Sequence, residues 1–154
     1  MRAQLTAVFV ASALAVGHTQ QPVFRSSVNL TLVDVVVPAV RARVANKLDL
    51  MVDCNQGWRM SWDQYKPWTL KEAIPVAREL EKLEVFWMEE PLFRSDREGM
   101  KRLREMVDIR IAGGEMTREL YEFRDLIVDG CLDVIQPDAA LVGGITGLRR
   151  VALM

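Results

Sequence analysis

Histidine is almost missing from this sequence, and its two cysteines are not spaced to hold a metal ion. The one histidine, His18, stands near the start, and Cys54 and Cys131 lie far apart with no CxxC-type neighbour. Zinc chemistry of the His/Cys kind is therefore not expected. Both cysteines read as small buried residues rather than as a disulfide. There is also no excess of one charge: 20 basic and 21 acidic side chains leave a net charge of −1. Without a basic stripe or an acidic tail, a nucleic-acid partner and a solvating arm are both unexpected. No apolar run reaches the roughly 20 residues that a membrane-spanning helix needs. What remains is a chain of 154 residues, half apolar and 27% charged, enough for one domain with a sizeable core.

Residues 1–31 differ in kind from the rest and read as a leader. Arg2 precedes an apolar stretch from Leu5 to Val16, an Ala13-x-Ala15 site and the polar run His18-Thr-Gln-Gln21. That order fits a secretory signal peptide, which would make the protein secreted. A buried strand or helix of the fold, or a start unrelated to the domain behind it, fits the same residues. The remainder is cytosolic in type.

Residues 32–154 repeat one phrase. Val33 to Val44 has apolar residues at helical spacing with Pro38 interrupting early, and Leu48 to Val52 is a short apolar strand. A polar and aromatic loop, Gly57 to Trp68, leads to Thr69-Leu-Lys-Glu72, a capping-box sequence opening a helix to Leu83. Pro75 predicts that the regular part of this helix starts a turn later. The phrase recurs with strand Val85–Met88, a second capping box Ser95-Asp-Arg-Glu98 and a helix through Met106. Strand Ile109–Ala112 and helix Thr117–Asp129, ended by Gly130, come next. Strand Leu132–Ile135 and a helix from Ile145 complete the series. Alternation of this length predicts a parallel sheet with helices packed outside it.

Each strand ends in acid. Asp53 closes Met51-Val-Asp-Cys-Asn-Gln56, and Glu89 and Glu90 close Trp87-Met-Glu-Glu-Pro91. Glu115 follows in Ala112-Gly-Gly-Glu115, where the glycines permit a sharp turn, and Asp138 ends Gln136-Pro-Asp138. Parallel strands open their carboxyl ends on one face, so these carboxylates share one rim. Crowded carboxylates repel, and a divalent cation relieves them; an all-oxygen set suits Mg²⁺. The plainer reading is that such residues cap the following helices or pair with nearby arginines.

In this order, Val52-Asp-Cys-Asn-Gln56, Trp87-Met-Glu-Glu-Pro91, Ala112-Gly-Gly-Glu115 and Gln136-Pro-Asp138 with Gly143-Gly-Ile-Thr146 resemble successive motifs of the enolase superfamily. The nearest branch is that of mandelate racemase and muconate-lactonizing enzyme, which includes acid-sugar dehydratases. The resemblance implies a partial (β/α)7β TIM-like barrel of about four β/α units behind an apolar leader. It further implies Mg²⁺ on Asp53, Glu89 and Glu115, with Asn55 beside them and Glu90 in a structural ion pair. Asp138 would orient a catalytic histidine from the next strand. The implied reaction is removal of a proton α to a carboxylate, with a small substrate such as a sugar acid. The metal then stabilises the enediolate.

The base expected of such a site is a Lys-x-Lys pair or the histidine partner of Asp138, and neither occurs in this sequence. Lid domain, first two strands and last two strands are likewise not recognisable. Two readings follow: a lyase or racemase incomplete in this chain, or a catalytically silent truncated fragment that at most binds metal or a partner chain. Self-association into a homo-oligomer would complete the core. A third reading, an open doubly wound domain binding phosphate at Gly143-Gly144, lacks the strand–glycine-loop fingerprint.

Overall fold

The structure, a computed structural model, describes residues 30–44, 48–59, 61–64 and 66–154. The proposed leader peptide, residues 1–21, lies outside these described residues. Helix α1 (Leu30–Val44) is followed by strand β1 (Met51–Asp53), α2 (Leu70–Lys82), β2 (Trp87–Glu89), α3 (Arg97–Met106), β3 (Arg110–Gly113), α4 (Leu120–Val128), β4 (Val134–Ile135) and α5 (Ile145–Ala152). The four strands form one sheet in the order β1-β2-β3-β4, every pair parallel. Each strand therefore returns through a helix to lie beside its predecessor, as the β/α alternation demands.

Register divides the sheet into two faces. Met51 pairs with Trp87, Asp53 with Glu89, and Glu89 with Ala112, so these side chains share one side. Val52, Met88 and Ile111 share the other and pack against the helices, in a core that includes Leu80, Leu103 and Cys131. A smaller cluster of Phe123, Val142 and Val151 joins α4 to α5. Cys54 is half-buried against the main core, and both cysteines are free thiols. No helix among the described residues is long and apolar enough to cross a membrane.

Two prolines are tolerated where the sequence predicted disruption. Helix α1 runs unbroken through Pro38, and α2 starts at Leu70 rather than a turn later, with Pro75 inside it. A proline costs one backbone bond; at Pro75 both it and Lys71, whose carbonyl loses that bond, are exposed to water. Val37 and Val40 hold α1 on the core, and Arg41 Nε donates to the carbonyl of Leu83 at 2.9 Å. At the start of α2, Glu72 accepts both the amide (2.7 Å) and the hydroxyl (2.8 Å) of Thr69. The second cap shifts by one residue: Asp96, not Ser95, opens α3, accepting from the Gly99 amide at 2.9 Å. Helix α4 begins at Leu120, three residues past the expected Thr117, because Glu119 takes the cap position and its amide bonds Glu122 at 3.2 Å.

The helix-to-strand returns use one device twice. After α2, the amide of Val85 reaches the Leu80 carbonyl (3.1 Å) and that of Glu84 reaches Glu81 (2.9 Å). After α4, Cys131 reaches Leu126 (2.9 Å) and Gly130 reaches Ile127 (3.1 Å). This paired pattern needs a left-handed residue at the turn. Gly130 supplies it at φ 66°, as its sequence position predicts, and Glu84 supplies it at φ 53°.

Leu80 is fully buried at the centre of the main core, whereas Val128 is exposed on α4. Leu80→Ala should lower unfolding free energy by about 2–5 kcal/mol. Val128→Ala should change it by less than about 0.5 kcal/mol. Urea unfolding measures both, and equal effects would contradict the assigned core.

Candidate functional site

The carboxyl ends of the strands form a rim, and the loops leaving it are stitched together. The Cys54 amide donates to the Glu89 carbonyl and the Gln56 amide to the Glu90 carbonyl, both at 2.9 Å. The Glu90 amide donates to Ala112 at 3.0 Å, and the Gln136 amide to Gly113 at 2.9 Å. The ladder thus continues up to three residues past β1 and one residue past β2 and β4, next to the acids. Gln56, only 6% exposed, clasps the long loop at both ends: its Nε2 donates to the Cys54 carbonyl (2.8 Å) and its Oε1 accepts the Trp68 amide (3.1 Å).

Asp53 and Glu89 stand opposite each other in the β1–β2 register, on the same side of the sheet. The carboxylate of Asp53 is held by Asn55, whose amide donates to Oδ1 at 2.8 Å and whose Nδ2 donates to Oδ2 at 2.7 Å. Burial pushes the Asp53 carboxyl up to about 6; the charges of Glu89 and Glu115 add to the rise and the Asn55 bonds oppose it. Glu115 follows the Gly113-Gly114 turn and is exposed, Gly114 taking φ 107°. Glu89, at the end of β2, and Glu115, in the loop after β3, thus both lie close enough to act on Asp53 at this rim.

Glu90 departs from expectation. In place of a structural ion pair it is 3% exposed and meets no cation among the described residues. Its backbone takes φ 44°, rare for a side chain of this size. The Gly57 amide bonds its carboxylate, and a Cβ at Gly57 would lie 2.4 Å from the Glu90 carboxyl, so a larger residue there would force that carboxyl to move. Burial first, then the charges of Asp53, Glu115 and Glu89, pushes the Glu90 carboxyl up to about 7. The consecutive glutamates and the glycine after Gln56 were the signal for this contact.

Asp138 lies beyond β4 on the same rim. Its Oδ1 accepts from the amides of Ala140 (2.6 Å) and Leu141 (3.1 Å), which fixes the turn before α5. This is a local turn and not a cap of α5, whose cap position is Gly144; the Oδ2 of Asp138 has no hydrogen-bond partner among the described residues. Trp62, in the loop after β1, is 72% exposed.

Hard carboxylate oxygens, the shared rim and the mutual charge effects fit a magnesium ion. Among the described residues, however, no three acidic, histidine or cysteine side chains converge within one ion's reach. Ligation by Asp53, Glu89 and Glu115 therefore needs side-chain rotation, which their half-buried or exposed ends permit.

With this geometry in hand, comparison with known proteins is informative. Residues 23–154 match the family described as enolase C-terminal domain-like. L-talarate/galactarate dehydratase of Salmonella typhimurium is 37% identical over 113 residues, 73% of this chain and 26% of that protein. D-gluconate dehydratase of Thermoproteus tenax is 33% identical over 118 residues, 77% of this chain and 22% of that protein. Among solved structures, L-talarate dehydratase from Polaromonas sp. JS666, complexed with Mg and L-glucarate, superposes with TM-score 0.70 at 36% identity, over 80% of this chain and 32% of that one. A racemase from Streptomyces coelicolor A3(2) with bound magnesium gives TM-score 0.70 at 34% identity, over 80% and 32%. The chain thus spans about a quarter of the length of the curated relatives named here.

Glu90 generates a prediction for the chain without added metal. A carboxyl whose folded value is raised is ionised more readily when unfolded, so stability falls as pH rises from about 4.5 towards about 7. Glu90→Gln removes that loss. The variant should match wild type near pH 4.5 and exceed it by about 1–3 kcal/mol near pH 8. Urea midpoints at the two pH values check this, and a pH-independent difference would contradict it.

Proposed function

This chain belongs to the enolase C-terminal domain-like family, and from that premise we propose that its rim serves Mg²⁺-dependent removal of a proton α to a carboxylate, in an acid-sugar dehydratase or racemase. The observation that carries the reading is the in-register pairing of Asp53 with Glu89, with Glu115 close enough to raise the Asp53 carboxyl further. In this proposal Asp53, Glu89 and Glu115 hold the ion, and the substrate is a small sugar acid. When bound, the ion supplies a fixed positive charge where negative charge builds up on the substrate carboxylate.

The chain's own residues do the positioning. Asn55 orients Asp53 through two hydrogen bonds, and Gln56 anchors the loop that borders the rim. Asp138 is proposed to orient a histidine base through the oxygen its turn leaves unused, fixing the imidazole tautomer. The relatives support the class of reaction: those named above are sugar-acid dehydratases and a racemase, two of them solved with magnesium.

A second reading rests on one observation. The sequence holds no Lys-x-Lys pair, and its only histidine is His18. On this reading the 154-residue chain binds metal without turning substrate over.

Two measurements test these readings. Mg²⁺ at a hundredfold excess over its dissociation constant should stabilise the chain by about 2.7 kcal/mol. Glu115→Gln should remove most of that gain, while Glu90→Gln should keep it; an equal response in wild type and Glu115→Gln would sink the ligand assignment. In the second, the chain is incubated with sugar acids and Mg²⁺ in deuterated buffer. No α-deuterium above background is expected, since the base is missing and acid–base catalysis typically contributes about 10²–10⁴-fold. Incorporation that depends on Glu89 and Glu115 would overturn the silent reading.

A further inference from the structure

We propose that Arg94 is a positioning residue that ties the loop carrying Glu115 to the loop leaving β1, and so sets the spacing of the magnesium ligands; this rests on reading the rim as a metal site. Arg94 lies in the segment between β2 and α3. Its amide donates to the Gly57 carbonyl at 2.9 Å, and its Nη1 donates to the Met116 carbonyl at 2.7 Å. One residue is thereby bonded to the loops on both sides of its own. Met116 adjoins Glu115, and Gly57 lies in the loop that begins at Asp53.

The tie acts where the backbone is weakest. The β3 ladder ends at Gly113, and Gly113-Gly114 then offers two permissive positions before Glu115, Gly114 being left-handed at φ 107°. Past that pivot, the amide of Thr117 closes a local turn on Gly114 at 3.0 Å. Among the described residues, the Arg94 bond is the one hydrogen bond from residues 114–117 to the β2 side. The guanidinium forms no ion pair among the described residues and is absent from the leading influences on Asp53 and Glu90. Its contribution is geometric. It holds a backbone in place rather than neutralising the rim.

Outer partners of ligands typically change metal affinity by about 10–100-fold when lost. Arg94 is exposed, so its replacement should spare global stability while loosening the Glu115 loop. The test uses the full chain as wild type, Arg94→Ala, Arg94→Lys and, as an exposed control on α3, Arg102→Ala. Calorimetric Mg²⁺ titration, amide hydrogen exchange at buried Thr117 and urea midpoints are measured for each. Arg94→Ala should weaken Mg²⁺ binding about tenfold and speed Thr117 exchange several-fold, with an unchanged urea midpoint. Arg94→Lys, which keeps a donor, should recover most of both losses, and Arg102→Ala should match wild type. Wild-type affinity and exchange in Arg94→Ala would overturn the tie. So would a midpoint that falls in step with affinity, or losses that lysine leaves unrepaired. If wild type itself binds no Mg²⁺, the metal reading fails by itself, and the tie is decided by Thr117 exchange.

Discussion

Adjacent parallel strands lie about 4.8 Å apart, and the β1–β2 register sets Asp53 against Glu89 across that gap. Two carboxylates so placed interact whether or not either is needed for chemistry. The fold then adds Glu115 from the next strand and buries Glu90 beneath the same rim. Hydrophobic packing of the helix side makes the arrangement hard to avoid. Val52, Met88 and Ile111 are committed to the core, and the strand period of two sends Asp53 and Glu89 the other way.

Crowded acids are a cost to folding that the rest of the molecule offsets. The offset comes from apolar burial around Leu80, Met88, Leu103 and Ile111, and from hydrogen bonds that carry the sheet past its strands into the loops. Gly57 leaves space beside its Cα for the Glu90 carboxyl, while its amide partly compensates the buried charge. The rim thus combines crowded acids with backbone hydrogen bonds that link its loops.

Much of this was legible in the sequence. Apolar periodicity, a capping box and a terminal glycine located helices among the described residues to within a few positions, and the alternation of elements required parallel strands. Acids at successive strand ends pointed to one rim, and the ordered motifs pointed to the family that the match over residues 23–154 establishes. Local signals were read less accurately where two candidates competed. Asp96 outbid Ser95 as a cap because its carboxylate reaches the Gly99 amide. Pro75 did not delay α2, because the backbone bond it removes lies at an exposed edge.

What the sequence by itself determined was order and chemistry: which residues are acidic, the succession of strands and helices, and that no histidine or cysteine cluster of zinc-site spacing is present. Tertiary structure decided partnership. That Glu84 takes the left-handed turn usually left to glycine follows from the packing of Val85 after α2. Glu90, just past the end of β2, became a buried carboxyl beside Gly57 because the loop after β1 folds over it. Arg94 meets Gly57 and Met116, residues distant in sequence, because parallel register brings three loops to one end of the sheet. Periodicity encodes the face on which a side chain lies; only the closed set of neighbours encodes what it touches.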